Sequence, residues 1–136
     1  VVIREGDDRL EIRLTDRVPG HLPGAGDVRL AVAVESRGFT GAGVAWADAP
    51  QLRAFVGQLR ELEVRRRGAA ELGSMPPGEF ALRVFTTDSS GHVAVAGRLA
   101  RSGQAIEFEF PFCPSLLPGI VSDFADIAGA DDNTHR

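Results

Sequence analysis

Asp88, Ser89, Ser90 and His92 bring a carboxylate, two hydroxyls and an imidazole into one short stretch, the functional groups of nucleophilic catalysis. A working set needs a hydroxyl within hydrogen-bond reach of the imidazole, with the acid orienting the ring from its far side. Residues this close in one turn rarely meet both conditions. The same stretch, "TTDSSGHV", is also what a β-turn selects: Asp and Ser for side-chain bonds to nearby backbone, and Gly91 for positive φ. The expectation is a hairpin tip over Asp88 to Gly91. His92, at its edge, is either a local hydrogen-bonder or a point of contact with a partner, and no catalytic residue is assigned.

Other chemistry is limited by what the chain lacks. All fifteen basic residues are arginine, which removes the Walker lysine, Schiff-base mechanisms and the pyridoxal enzymes together. Tyrosine is absent as well. His21, His92 and His135 are scattered and Cys113 has no companion at ligand spacing, so neither a metal site nor a cofactor is expected. The glycines of "GFTGAGVAW" lead into a strand and lack the lysine of a phosphate loop, which reads as backbone geometry. Cys113, among Phe110, Phe112 and Leu116, is expected to be buried and inert.

Charged side chains supply the remaining candidates. Arg65, Arg66 and Arg67, extended backwards by Arg60 and Arg53, sit where a helix should end, either as a solvated terminus or as a docking surface for an anionic protein. Glu107 and Glu109 alternate with Ile106, Phe108 and Phe110 and so share the outer face of a strand. Together with His92 these are the candidate partner-binding residues. The formal net charge of −4 offers no global attraction to phosphate polymers or anionic membranes, so neither nucleic acid nor membrane is expected as a partner.

The elements that must position these residues follow from periodicity. At 136 residues, 43% apolar and 25% charged, the chain fits one globular domain, placed at 1–128 with a mobile tail at 129–136. No apolar run approaches the roughly 18 residues of a membrane span, the N-terminus lacks signal-peptide features, and the single cysteine fits a reducing cytoplasm. Leu10, Ile12 and Leu14 alternate with polar residues, and Val28, Leu30, Val32 and Val34 mark a second strand after the loop "RVPGHLPGAGD". A turn at Ser36 to Gly38 leads to a third strand ending near Trp46, with Gly41 and Gly43 allowing a bulge. A helix then starts at Asp48 with Gln51 as a capping box, buries Leu52, Phe55, Val56, Leu59 and Leu62, and stops at Gly68. "GAAELGSMPPGE" reads as a linker. Strand-like runs follow around Phe80 to Thr86, His92 to Leu99 and Ala105 to Phe110, and a second helix starts near Ser115. At one constant offset Trp46 matches Phe110, Pro50 Pro114, Leu52 Leu116, and Val56 Ile120. The predicted fold is α+β: a mostly antiparallel sheet of about seven strands with two helices, possible as two β-meander and helix units.

The order "FTGAGVAWADAPQLRAFVGQLREL", "FALRVFTTDSSGHVAVAGRL" and "IEFEFPFCPSLLPGIVSDFADI" resembles the WapI-type immunity protein family and its bacterial relatives over roughly residues 28–128. Asp48, Leu52, Phe55, Leu59, Asp88, Gly91, His92, Val93, Val95, Leu99, Phe108, Leu116, Ile120 and Phe124 carry the likeness, and most are core or turn positions. The resemblance implies a non-enzymatic protein that neutralises a cognate toxin by binding it. Two other readings stay open: a small hydrolase-like enzyme with a site assembled from distant loops, around His21 and His92, and a module that binds a small ligand.

Overall fold

The computed structural model describes residues 1–129, so beyond Gly129 the expected tail lies outside the described residues. The chain runs β1 (Val2–Glu5), β2 (Asp8–Arg17), β3 (Val28–Ser36), β4 (Phe39–Ala47), α1 (Ala49–Arg65), β5 (Ala69–Gly73), β6 (Phe80–Thr86), β7 (Val93–Arg101), β8 (Gln104–Phe112) and α2 (Leu117–Ala128). The fold is α+β. Its strands form two four-stranded antiparallel sheets in sequential order, β1 to β4 and β5 to β8, each followed by a helix. The expected repeat of meander and helix is therefore present, with four strands in each meander where three runs were read: β1 and β5 are the additions. β5 lies inside the stretch expected to be a linker: Ala70 and Leu72 point inward, too few apolar positions to mark a strand by alternation.

The burial pattern places the repeat one residue away from the offset read in the sequence. Leu52, Phe55, Val56, Leu59 and Leu62 are buried on α1, and Leu117, Ile120, Val121, Phe124 and Ile127 are their counterparts on α2. The strands obey the same offset, with Val28, Leu30 and Val34 matching Val93, Val95 and Leu99. Matching Trp46 to Phe110 put residues of opposite faces together, since one step along a strand reverses the side chain. Phe110 is buried beside Val95, whereas Trp46 pairs with Arg29 on the outer face of the first sheet.

The inner faces of the sheets meet through complementary sizes. β4 brings Gly41, Gly43 and Ala45 inward, where β8 brings Ile106, Phe108 and Phe110. A Cβ on Gly41 would lie 2.8 Å from Ile106 Cγ2, and one on Gly43 would lie 3.3 Å from Leu99 Cδ1. These glycines make room for the opposite sheet, and β3 and β4 stay in unbroken register where a bulge was expected. The one register shift in this sheet falls between Leu14 and Asp16 of β2.

Local chemistry sets the helix ends. Asp48 is the N-cap of α1, its carboxylate accepting from the Gln51 N–H at 2.8 Å. Asp27, buried at the end of the β2–β3 loop, accepts from the Ala49 N–H at 2.8 Å and pins that loop to the helix start. The helix ends at Arg65, before the expected Gly68: Arg66 adopts the left-handed conformation (φ 51°, ψ 44°) and its N–H closes on the Leu62 carbonyl. α2 is preceded by a 3-10 turn at Pro114–Leu116, so its first α-helical residue is Leu117, two after the expected start. Among the described residues no helix is long and apolar enough to cross a membrane.

Candidate functional site

The Asp88 to His92 stretch is a hairpin tip between β6 and β7, closed by the Thr86 and Val93 pair. Asp88 Oδ1 accepts from the backbone N–H groups of Ser90 (2.9 Å) and His92 (3.3 Å), and its Oδ2 stands 2.7 Å from His92 Nδ1. The hydroxyls of Ser89 and Ser90 make no hydrogen bond to the ring among the described residues, so acid and imidazole are paired but no nucleophile joins them. The His92 side-chain bond, aided by the two backbone donors, holds the Asp88 carboxyl below its ordinary value. Because the folded-state value is depressed, the resulting stabilisation is present above the unfolded-state pKa and is lost as pH falls through the folded one. In a side-chain NMR titration, His92→Ala is expected to move the Asp88 midpoint upward; an unmoved midpoint would refute His92 as the main cause.

The candidate partner residues fall into two groups. Arg65, Arg66 and Arg67 lie against the hairpin tip and share with Asp88 to Gly91 a cleft of about 370 Å³. Arg65 is paired with Glu61 at 2.7 Å, a highly exposed contact of little energetic weight. Glu107 and Glu109 line a different cavity of about 600 Å³ beside Arg37 and Phe39 of the β3–β4 turn. Cys113 corrects the sequence reading: it follows the last residue of β8, is exposed, and its thiol is held below the usual range by the Ser115 hydroxyl 3.0 Å away. Its apolar neighbours in sequence did not bury it, because Phe110 and Phe112 alternate inward while Cys113 takes the opposite direction.

The outer face of the first sheet carries a feature that the sequence reading did not assemble. Antiparallel register aligns Arg13, Ala31 and Val44 in one cross-strand row, Asp16, Arg29 and Trp46 in the next, and Arg4, Arg9, Glu35 and Thr40 at the opposite end. Between them run Val2, Glu11, Ala33 and Ala42. The centre of the face carries short apolar side chains, Ala31, Ala33, Ala42 and Val44. Trp46 is half-buried beside it, and Val44 is 42% exposed. Arg9 is engaged by Glu11 at 3.2 Å and Arg29 donates to the Thr15 hydroxyl at 3.2 Å, while Arg4 and Arg13 have no ion pair among the described residues. Four guanidiniums thus oppose three carboxylates, Glu11, Asp16 and Glu35, around an apolar platform with an indole at one end.

The second sheet shows the same architecture with the opposite balance. Its outer face bears Glu71, Glu107 and Glu109 against Arg83 and Arg98, with Glu71 bridging Arg83 at 3.4 Å. Arg83 is further committed to the Phe85 ring, 4.4 Å from its centroid. The repeat has placed a mildly basic face on one sheet and a mildly acidic one on the other.

No model of a known protein family matches the chain, and no curated protein matches it. Among solved structures it is similar to WHY1 from Arabidopsis thaliana, with 12% identity and a TM-score of 0.56 over 94% of this chain and 87% of that one. It is also similar to the plant transcriptional regulator PBF-2, with 12% identity and a TM-score of 0.50 over 100% of this chain and 86% of that one. At such identity the likeness is one of fold. It corrects the expectation of an immunity protein acting on a toxin and with it the exclusion of nucleic acid, because the architecture under those readings is one shared with a transcriptional regulator. The physical error lay in the charge argument: a net charge of −4 averages over the surface, whereas binding is decided by the face that meets the ligand.

Proposed function

We propose that this protein binds single-stranded nucleic acid on the outer face of its first sheet. The observation that carries the reading is the placement of Trp46 and four arginines around the Ala31, Ala33, Ala42 and Val44 platform. Guanidiniums neutralise backbone phosphates and release their counterions, while an indole offers a stacking surface to any base. An exposed sheet face with no protruding helix suits unpaired, splayed bases better than a duplex groove. The fold shared with PBF-2 agrees with this reading, although a fold by itself does not specify function. Cys113, free and exposed, belongs with a reducing cytoplasmic location under the same proposal.

Trp46 is the sole tryptophan, so its fluorescence reports directly on this face. Titration with a single-stranded oligonucleotide at low salt is expected to quench it. Trp46→Ala, read by anisotropy of a labelled strand, should weaken binding by about tenfold, corresponding to the roughly 1–3 kcal/mol of one stacked base. Arg13→Ala with Arg29→Ala should weaken binding across all sequences and flatten the salt dependence by about 0.7 in log–log slope per lost phosphate contact. Unchanged Trp46 fluorescence at saturation, or tighter binding to a duplex than to its single strands, would overturn the proposal.

A further inference from the structure

The cleft between the end of α1 and the β6–β7 tip joins two features that the nucleic-acid face does not use. One wall is the Arg65 to Arg67 run, and the other is the turn that presents Ser89 and Ser90. Both walls are fixed. Arg66 is locked as the helix cap through its N–H to the Leu62 carbonyl, and its Nε donates to the Glu63 carbonyl at 3.2 Å, which leaves the far end of the guanidinium available. The turn is braced by the three hydrogen-bonding contacts between Asp88 and its neighbours Ser90 and His92.

Gly91 sets the spacing between the walls. It is buried with φ at +87°, and a Cβ there would stand 3.4 Å from Arg66 Cβ, so the turn packs directly on the arginine stem. Behind the cleft, Gly68 and Thr86 exchange backbone and side-chain hydrogen bonds and tie the segment after the helix to the end of β6.

We propose that this cleft binds a phosphate group, with the guanidiniums of Arg66 and Arg67 and the hydroxyls of Ser89 and Ser90 as donors. Arg67 has no ion pair, and neither serine hydroxyl has a hydrogen-bond partner, among the described residues. The lining therefore offers more donors than a carboxylate's two oxygens can use, and a phosphomonoester, with three terminal oxygens and nearly two negative charges at neutral pH, matches it better. The carboxylate of Asp88 also lines this cleft, and its single negative charge, turned toward Ser90 and His92 by their hydrogen bonds, is outnumbered there by the guanidiniums of Arg66 and Arg67. A volume near 370 Å³ admits a phosphate with a small organic group attached. The site does not rest on the nucleic-acid reading: the ligand is either a small phosphoester or the phosphorylated end of a strand.

Calorimetric titration of the whole chain with inorganic phosphate at low ionic strength, against chloride at matched ionic strength, tests the site. Phosphate should bind and chloride should not. Arg67→Gln is expected to weaken phosphate binding roughly tenfold, the equivalent of one charge-assisted hydrogen bond, and Ser90→Ala a few-fold, while Arg53→Gln, on the outer side of the same helix, should leave it unchanged. A second arm compares 5′-phosphorylated with 5′-hydroxyl oligonucleotides. Tighter binding of the phosphorylated strand, abolished by Arg67→Gln, supports the site with a strand end as ligand; equal binding with retained affinity for inorganic phosphate supports it with a small phosphoester. Absence of phosphate binding over chloride, or binding indifferent to both Arg67→Gln and Ser90→Ala, overturns it, whatever Trp46 does in the strand titration.

Discussion

Truncating Phe55 to alanine is expected to lower the stability of the fold by about 4 kcal/mol, within the range measured for phenylalanine removal from packed cores. Phe55 is fully buried and meets Phe124 edge to face, with ring centroids 4.9 Å apart and planes at 87°. That contact joins α1 to α2, and so joins the two repeats. Against a total stability of roughly 5–15 kcal/mol, the loss would unfold a substantial fraction of molecules well below the wild-type melting temperature. Denaturant unfolding followed by circular dichroism measures it, provided the slope is unchanged. The aromatic geometry itself should account for about 1 kcal/mol of the loss, which a double-mutant cycle of Phe55→Leu and Phe124→Leu isolates. Strict additivity of those two changes would remove the ring pair as a specific joint between the helices.

The helices carrying that pair were legible because five buried positions on each recur at helical spacing, and strand alternation is as plain in Leu10 and Ile12. What stayed hidden has a common physical cause. β5 is a short edge strand whose identity comes from pairing with β6, Ala70 to Val84 and Leu72 to Leu82, and that information is absent from the five residues themselves. Asp27 looked like the end of a glycine-rich loop, and its role as acceptor for Ala49 depends on a contact 22 residues away. The exposed thiol of Cys113 reflects strand direction, not the hydrophobicity of its neighbours.

The candidate interface was partly within reach. Arg37 and Gly38, both at positive φ, make the two-residue turn that fixes hairpin register, and from that turn Arg29 must oppose Trp46 and Ala31 must oppose Val44. Alternation had already put Arg13 on the outer side of β2. The missing step was to assemble these residues across strands before judging charge. Most of the carboxylates that make the chain acidic lie elsewhere, at turns such as Asp7 and Asp88, on helix exteriors such as Glu61 and Asp123, and on the second sheet. The arginines of the tip cleft were noticed as a run and the serines as a turn; only the packing of Gly91 on Arg66 brings them together.

Two glycine-to-alanine changes are expected to act in opposite directions, and their contrast tests how the repeats were fitted to each other. In the first sheet Val32 stands opposite Gly43, and at the corresponding place in the second sheet Gly97 stands opposite Phe108, so large and small exchange strands. The Phe108 ring lies over Gly97: a Cβ there would meet Phe108 Cζ at 2.5 Å and the Ala81 carbonyl oxygen at 2.7 Å. The ring can tilt, but the carbonyl belongs to the backbone of the neighbouring strand, so the clash cannot be relieved by a rotamer change alone. Gly97→Ala should destabilise by about 3 kcal/mol, the upper part of the usual overpacking range. Gly57, inside α1, has nothing within 4 Å of its would-be Cβ, and there alanine should stabilise by roughly 0.5–1 kcal/mol through helix propensity and a less flexible unfolded chain. Thermal unfolding of the two variants beside the wild type should bracket it, with Gly57→Ala above and Gly97→Ala well below. A Gly97→Ala protein as stable as the wild type would mean that β6 and β7 yield at this point, and that the close packing of Phe108 on bare backbone is not what holds the second sheet in shape.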